Sequence, residues 1–538
     1  MFVSTSRKPR VGAGFMTGRT ALCLLIGSLA ATSQTLGQAS QGSVAPAVVV
    51  SALRSRVLIS GLESPEPEVL RIQDADSLIA ALGDPYARLL SPPAYQRFRS
   101  ATGVAYGGIG ARISTREDTV WVTIVYPGSP AEVSGLRPLD RVVAINEHNT
   151  VGWSTGMAVE ELRGPIGSTL TLLVIRGQGQ EPIPFTVRRG QIRVPSVQAA
   201  MVDSFGVGIV HLAQFGEGAA HSLRLALDSL VEAGMTGLIL DLRGNAGGLL
   251  SEALDVARLF LHEEQLITEV RGRPGTVPIR FVDRTPDAYP NLPVIVLAGP
   301  NTASASEIVA GALQDHDRAA VLGTRSYGKG SVQQVFALPR RWKIKLTTAR
   351  WYRPSGRTLD RLVLRAGDST TLVLPGGITP DLVMADSMRL RAHRIVQGFS
   401  DHWPKVSSAL LGEVSRYLDS ASTVSPDLVI RPSALTGMLD TLLSRVGVLP
   451  PSLDRVEVRG WLAQRLAHLV VGVRWGQAAG TRWRYARDVQ IAAASARLRQ
   501  AHTPTALVAL VRWSTASQVA QASGAHPIAF PALHHKPY

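Results

Sequence analysis

The sequence predicts an α/β protein, α+β overall, with a parallel sheet flanked by helices at its centre and helical segments at both ends. Between residues 207 and 322, short apolar runs of buried-strand type alternate with amphipathic stretches of helical period. That is the order expected of parallel strands joined through helices. Upstream, from 103 to 190, the runs are short and alternating and are separated by Gly and Pro turns, which reads as a compact strand-rich unit. The 538 residues also exceed what one hydrophobic core organises, so about two to four domains are expected.

In chain order, residues 1–39 carry Arg7, Lys8, Arg10 and Arg19 ahead of an apolar stretch from 21 to 31, with Gly37 and Ala39 framing a cleavage site. This is the pattern of an export signal. It predicts a periplasmic or cell-envelope protein, secreted where there is no outer membrane, with an uncleaved signal as the only membrane attachment. Cys23, the single cysteine, lies inside that stretch. The mature chain is therefore expected to have no disulfides, no thiol catalysis and no cysteine-bound metal. Beyond the signal no apolar run reaches the roughly 18 residues a membrane span needs.

Residues 40–102 show helical apolar spacing broken by Pro65, Pro67 and the Pro92-Pro93 pair, and read as an N-terminal helical segment. In the strand-rich unit, 103–190, strands are expected at 106–113, 120–125, 141–146 and 169–174. The central domain, 191–386, is expected to run strand 207–212, helix 219–232, strand 237–242, helix 249–261, strand 293–297, helix 304–313 and strand 319–322. Residues 387–538 turn helical again, with breaks at Pro404, Pro450 and Pro451 and no motif that carries chemistry. An oligomerisation or regulatory docking element is one expectation for this region.

The formal net charge of +15 is spread along the chain rather than clustered, so nucleic acid is not an expected partner. Only six cations are lysines, at 8, 329, 343, 345, 405 and 536. A buried lysine can lose its proton and act as a base, which arginine cannot, so Lys329 stands out in an arginine-rich chain.

The segment Asn301-Thr302-Ala303-Ser304-Ala305-Ser306-Glu307 follows an expected strand and opens an expected helix. A serine at such a turn suits a nucleophile beside free backbone N–H groups, and equally suits a helix cap. Tyr327-Gly328-Lys329-Gly330 follows, with the lysine 25 positions after Ser304. The flanking glycines permit tight turns into a crevice where desolvation lowers the amine's pKa. A neutral lysine there takes the serine proton on attack and returns it to the leaving amine. Gln333 reads either as a group orienting that amine or as a polar strand residue. His211 sits in an expected strand and His316 between two aspartates; neither belongs to a nucleophile motif. The stretch 323–331 approaches a P-loop, but Gly330 stands where the metal-binding Ser or Thr is required.

In these segments, together with Asp241-Leu242-Arg243-Gly244-Asn245-Ala246-Gly247-Gly248, the chain resembles the carboxyl-terminal processing, or tail-specific, proteases of the Ser/Lys class, from about 79 to 381. The resemblance implies a crotonase/ClpP-like parallel-sheet core with an inserted PDZ domain. It implies Ser304 as nucleophile, Lys329 as general base and Gln333 as the residue positioning the lysine, with Ser306 a bystander. It also implies an oxyanion hole from the backbone N–H of Ala305 and of a glycine in the 245–248 turn, Gly247 or Gly248, with Gly247 preferred. Segments 348–356 and 377–381 match as scaffold. Gly107-Gly108-Ile109-Gly110 resembles the PDZ loop that holds a peptide's terminal carboxylate, with the next strand pairing to the peptide. Leu139 departs from that pattern, standing where a glycine is expected before Asp140.

The reading that follows is an exported serine endopeptidase, without cofactor or metal, that recognises nonpolar C-termini of protein or peptide substrates through its PDZ unit and cleaves nearby. The alternative is a catalytically idle scaffold binding C-termini. The Ser304, Lys329 and Gln333 set speaks against it, because a binder needs none of them.

Overall fold

The computed structural model describes residues 45–102, 106–116, 118–177, 179, 181–192, 194–366, 370–374, 376–384, 403–420, 432–446 and 455–522. The expected export signal, Cys23 included, and Pro450 and Pro451 lie outside the described residues.

The N-terminal segment forms α1 (Ala47–Ser60), α2 (Pro67–Arg71), α3 (Ala75–Ala81), a strand β1 (Arg88–Leu90) and α4 (Pro92–Thr102). Its prolines open helices instead of breaking them: Pro67 begins α2 and Pro92 begins α4. At a first-turn position the missing N–H has no intrahelical partner to lose. Asp74 caps α3 by accepting the Ser77 N–H at 2.7 Å. The segment packs Val49, Leu53, Val57 and Leu78 against Trp342, Ile344 and Leu346, nearly three hundred residues later. The strand-rich unit is thus an insertion between two parts of one packed body.

That unit comprises β2 (Tyr106–Gly108), β3 (Ala111–Arg116), β4 (Thr119–Val125), α5 (Pro130–Val133), β5 (Arg141–Ile145), β6 (His148–Asn149), α6 (Thr155–Leu162), β7 (Thr169–Ile175), β8 (Ile183–Arg188) and β9 (Gly190–Ile192). The run expected as one strand over 106–113 is two strands in different sheets. The chain turns at Gly110, where φ is +77° and an added Cβ would lie 2.3 Å from the Ser129 Cβ, so no side chain fits. Strand β2 pairs with β9, while the larger sheet runs β3-β4-β5-β7-β8 with β6 on β5. Ile113, Val120, Val122, Val142, Leu170 and Leu172 fill the interior.

The central domain contains β10 (Val197–Val202), β11 (Val207–Leu212), α7 (Ala219–Glu232), β12 (Gly237–Asp241), α8 (Leu250–Arg258), β13 (Leu266–Arg271), β14 (Ile279–Val282), β15 (Val294–Ala298), α9 (Ala305–Asp315), β16 (Ala320–Gly323), β17 (Ser331–Ala337), β18 (Lys343–Tyr352), β19 (Leu362–Ala366), β20 (Thr370–Leu374) and β21 (Leu382–Val383). One sheet has the order β10-β11-β12-β15-β16-β21, parallel from β11 onward with β10 antiparallel at its edge. Strands β12 and β15 are buried at every position, which is why they read as continuous apolar runs rather than alternating ones. A second, antiparallel sheet runs β1-β18-β13-β14, with β17 also paired to β18.

The C-terminal region supplies α10 (Trp403–Ser420), α11 (Pro432–Val446), α12 (Arg455–Trp475), α13 (Gln477–Tyr485), α14 (Val489–Leu498) and α15 (Pro504–Ala522). Pro404, expected as a break, lies in the first turn of α10. The region divides its contacts. One face of the parallel sheet is covered by α7, α8 and α9. The other face, with Ile209, Ile239, Ile295, Leu297 and Leu322, is covered by Ile491, Ala494, Leu498, Leu507 and Val511 of α14 and α15. Helices α10 to α12 instead form a cluster around Leu410, Val414, Leu442, Leu462 and Leu466 that takes in Trp121 and Leu139 from the strand-rich unit. Leu139, the residue in the glycine position, keeps the left-handed backbone a glycine would have adopted, with φ +74°. A left-handed leucine costs roughly 1–2 kcal/mol, and burial of its side chain among these helices offsets that cost.

Candidate active site

Strand β15 delivers the chain to a tight turn from which α9 departs, and Ser304 sits at the junction with φ 58° and ψ −118°. Non-glycine residues avoid this region at a cost of roughly 1–3 kcal/mol, so it persists only where the surroundings enforce it. They do so here. The Thr302 N–H donates to the Gly299 carbonyl at 2.9 Å and the Ala303 N–H to the Asn245 carbonyl at 3.0 Å. Thr302 Oγ1 donates to the Leu242 carbonyl at 2.8 Å, and the Ser304 N–H to Glu307 Oε2 at 2.8 Å.

The two serines of the motif are sorted by their partners. Ser306 Oγ is spent on the Asn245 carbonyl at 2.9 Å. Ser304 Oγ is buried and makes no hydrogen bond. Ser304 stands at the N-cap of α9 and its N–H is held by Glu307 in the manner of a capping box, while its own oxygen is left without a cap hydrogen bond. An unsatisfied buried hydroxyl costs about 1–3 kcal/mol, a second strain stored at the same residue.

Glu307 joins Ser304 to Lys329. Fully buried, it accepts the N–H of Ser304 at 2.8 Å and of Lys329 at 2.9 Å on Oε2, and Ser326 Oγ at 2.5 Å and the Gly328 N–H at 2.7 Å on Oε1. Burial pushes its pKa up, against the downward pull of hydrogen bonds from Ser326, Lys329, Gly328 and Ser304. Four donors on two oxygens match a carboxylate, which only accepts. Lys329 is 8% exposed, its amine 5.9 Å from the centre of the Tyr86 ring. Burial lowers its pKa, partly countered by the charge of Glu307. Because Ser304 Oγ has no hydrogen-bond partner, the amine is not bonded to it in this arrangement.

On the other side of Ser304 lies the Asn245–Gly248 turn. Gly247 has φ +101°, and a Cβ there would lie 2.9 Å from the Ser304 Cβ and 3.0 Å from the Ala305 nitrogen. Any side chain would fill the space in front of the Ala305 N–H. The Gly247 N–H itself donates to Asn245 Oδ1 at 2.9 Å, whereas Ala305 and Gly248 donate no backbone hydrogen bond among the described residues. In this arrangement Gly247 contributes empty space, and within the turn the N–H groups of Ala246 and Gly248 are the ones without a backbone hydrogen bond among the described residues.

Two family descriptions match this chain: peptidase family S41 over residues 206–384 and the PDZ domain over 102–175. A carboxyl-terminal-processing protease from Synechocystis sp. is 36% identical over 292 residues, 53% of this chain and 68% of the relative. This chain belongs to the carboxyl-terminal-processing proteases. A carboxy-terminal-processing protease from Bartonella bacilliformis is 33% identical over 305 residues, 56% of this chain and 66% of the relative. Among solved structures, a photosystem II D1 C-terminal processing protease matches at 24% identity and a TM-score of 0.40, over 63% of this chain and 93% of that one.

In this processing protease Gln333 lies at a bulge of β17, four positions after Lys329, and its amide donates to Ser331 Oγ at 2.7 Å. In the PDZ unit, Gly107 packs so tightly that a Cβ would lie 2.1 Å from the Gly164 carbonyl oxygen. The carbonyls of Ile109 and Gly110 accept the N–H groups of Ala131 at 2.7 Å and Tyr126 at 3.0 Å, which fixes the loop from behind. Beyond it β3 is an edge strand, with α6 alongside: Thr115 N–H donates to Thr155 Oγ1 at 2.9 Å. The glycine loop therefore leads into β3, an edge strand with no strand partner on its outer side among the described residues, beside which α6 and α10 pack.

Three residues of the site escaped the sequence reading. Glu307 was visible only as the fourth residue of a Ser-x-x-Glu helix start; that pattern does not disclose that the carboxylate also holds a loop 22 residues on. Tyr86 comes from the N-terminal segment, and no local pattern connects it to Lys329. Lys345, on β18, is pushed down to about 8 by burial, by the charge of Lys329 and by Arg88, with Asp84 opposing. Its signal was present in the scarcity of lysines.

No metal-binding group of three or more His, Cys, Asp or Glu side chains occurs among the described residues. No described helix is long and apolar enough to cross a membrane.

Proposed function

We propose that this chain is an exported serine endopeptidase that captures the nonpolar C-terminal tail of a protein along the edge of β3 and hydrolyses a peptide bond with Ser304 and Lys329. The observation that carries the reading is the strained, unpartnered Ser304, tied through one buried carboxylate to the backbone of a desolvated lysine. The terminal carboxylate of the substrate binds the 107–110 loop, and its backbone adds to the free edge of β3.

For attack, the neutral Lys329 amine closes on Ser304 Oγ and takes its proton as the oxygen bonds the scissile carbonyl carbon. The tetrahedral oxyanion accepts the N–H of Ala305 and of the glycine turn, Gly248 in the present arrangement, each donor contributing roughly 3–4 kcal/mol. The Lys329 ammonium then protonates the leaving amine as the C–N bond breaks. Water repeats the cycle on the acyl-enzyme, with Lys329 again accepting and returning the proton. Gln333 lies close enough in sequence to orient the amine once Lys329 swings toward Ser304.

The test is hydrolysis of a peptide with an apolar C-terminus. Ser304→Ala and Lys329→Ala should each lower kcat by at least about a thousandfold, and amidation of the peptide C-terminus should raise KM. Retention of activity in either variant overturns the dyad, and indifference to amidation overturns tail recognition.

A further inference from the structure

Just before the glycine turn lies a buried ionic cluster that the chemistry above leaves unused. Arg243 Nη2 and Nε reach Asp241 Oδ2 and Oδ1, each at 2.8 Å. Burial alone would raise the Asp241 pKa, but the Arg243 charge and its hydrogen bonds hold the carboxyl well below the usual carboxylate range. The remaining nitrogen, Arg243 Nη1, leaves the central domain: it lies 2.8 Å from Asp488 Oδ2 and donates to Gln490 Oε1 at 2.8 Å. Asp241 Oδ2 also accepts the hydroxyl of Tyr485 at 3.0 Å. Tyr485 ends α13, and Asp488 caps α14 by accepting the N–H groups of Gln490 and Ile491.

Such a cluster is a poor device for stability alone. Desolvating the charges costs about what their attraction returns, and apolar residues of similar volume often do as well. What it does fix is position. Leu242, between the two members of the pair, and Asn245, two residues beyond Arg243, carry the carbonyls that hold Thr302, Ala303 and Ser306 around the nucleophile, and Gly247 packs on the Ser304 side chain. Displacing Arg243 by a few tenths of an ångström moves the turn relative to Ser304. Catalytic groups are sensitive to such shifts, a misplacement of about 1 Å costing up to about a hundredfold in rate.

We infer that Tyr485 and Asp488 are positioning residues for the oxyanion turn, so that α13 and α14 belong to the catalytic apparatus through Asp241 and Arg243. The inference rests on the reading of Ser304 as nucleophile and of the 245–248 turn as oxyanion donor.

The experiment uses the full chain and a tail peptide. Asp488→Asn keeps a good helix cap while removing the charge that faces Arg243, and Tyr485→Phe removes one hydroxyl. Each should lower kcat about 10- to 100-fold with KM within twofold, an unchanged pH profile and a melting temperature within a few degrees of the parent. Asp488→Glu should recover part of the loss. The inference is overturned if both variants keep kcat within twofold while Ser304→Ala is inactive, or if KM rises with kcat unchanged, or if kcat falls only in step with the melting temperature. Full activity of Ser304→Ala removes the underlying reading instead, and the inference with it.

Discussion

The parallel sheet has two helical covers of different origin. One is made by α7, α8 and α9, each lying in sequence between strands of the central domain. The other is made by α14 and α15, which follow the last strand of the sheet, β21, by more than one hundred residues. Both bury leucines to completion or nearly so: Leu223 and Leu227 on one side, Leu498 and Leu507 on the other. The chemistry of burial is the same, and only the connection differs. A crossover helix is announced by the strands on either side of it, whereas a cover that returns from far along the chain carries no local sign of what it covers.

The comparison can be broken most severely by ending the chain at residue 402. This removes α10 to α15 and strips Ile209, Ile239, Ile295, Leu297 and Leu322 of their cover. The expected product is insoluble or lacks a cooperative transition, as read by size-exclusion chromatography and calorimetry; a well-folded active fragment would show that the second cover is dispensable. Next in size, Leu227→Ala and Leu498→Ala should each cost about 2–5 kcal/mol in denaturant unfolding, because each leaves a cavity in a fully packed layer. A cost below about 1 kcal/mol for Leu498→Ala alone would mark α14 as a loosely held layer.

A smaller effect is expected where the C-terminal helices meet the PDZ unit. Leu139→Gly relieves roughly 1 kcal/mol or more of left-handed strain but removes about 2 kcal/mol of buried side chain, for a net loss near 1 kcal/mol. An increase in stability would mean that the contact with α10 to α12 contributes little.

The smallest change involves neither cover. Lys345 has a pKa of about 8 in the fold, against 10.5 when unperturbed. Between these values the unfolded chain binds more protons, so stability rises with pH through that window. Lys345→Met should flatten the rise and add stability below pH 8. The same substitution removes a positive charge that repels Lys329, so the alkaline rise in kcat, which follows deprotonation of the base, should move to higher pH. An unmoved profile would separate Lys345 from the base.

Legibility followed the same division. Helix α7 was read with both its ends, and β11 likewise, because apolar spacing and flanking turns are local properties. The segments bearing Ser304, Lys329 and the glycine turn were readable too, since each is continuous in sequence. Their joining by Glu307 was not, because hydrogen bonds to main-chain N–H groups leave no trace in the residues that donate them. The antiparallel sheet around β18 was largely missed: it pairs with β1 from the N-terminal segment and β13 from the central domain, so the alternation of strand and helix does not extend to it. The C-terminal helices were read as helices and no more, since Asp488 and Tyr485 have no meaning until Arg243 and Asp241 are beside them.

The convergence of four donors on Glu307 has a mechanical consequence. The main chain at Ser304 and the main chain at Lys329 are clamped to one carboxylate and move as a single rigid piece. Pulling those two loops apart would strip a buried anion of three of its four donors, leaving only the Ser304 N–H, so separation along that coordinate is costly. Two softer coordinates are left: the torsions of the lysine stem, which bring the amine to the hydroxyl, and the tilt of the opposing glycine turn, gripped from outside the clamp.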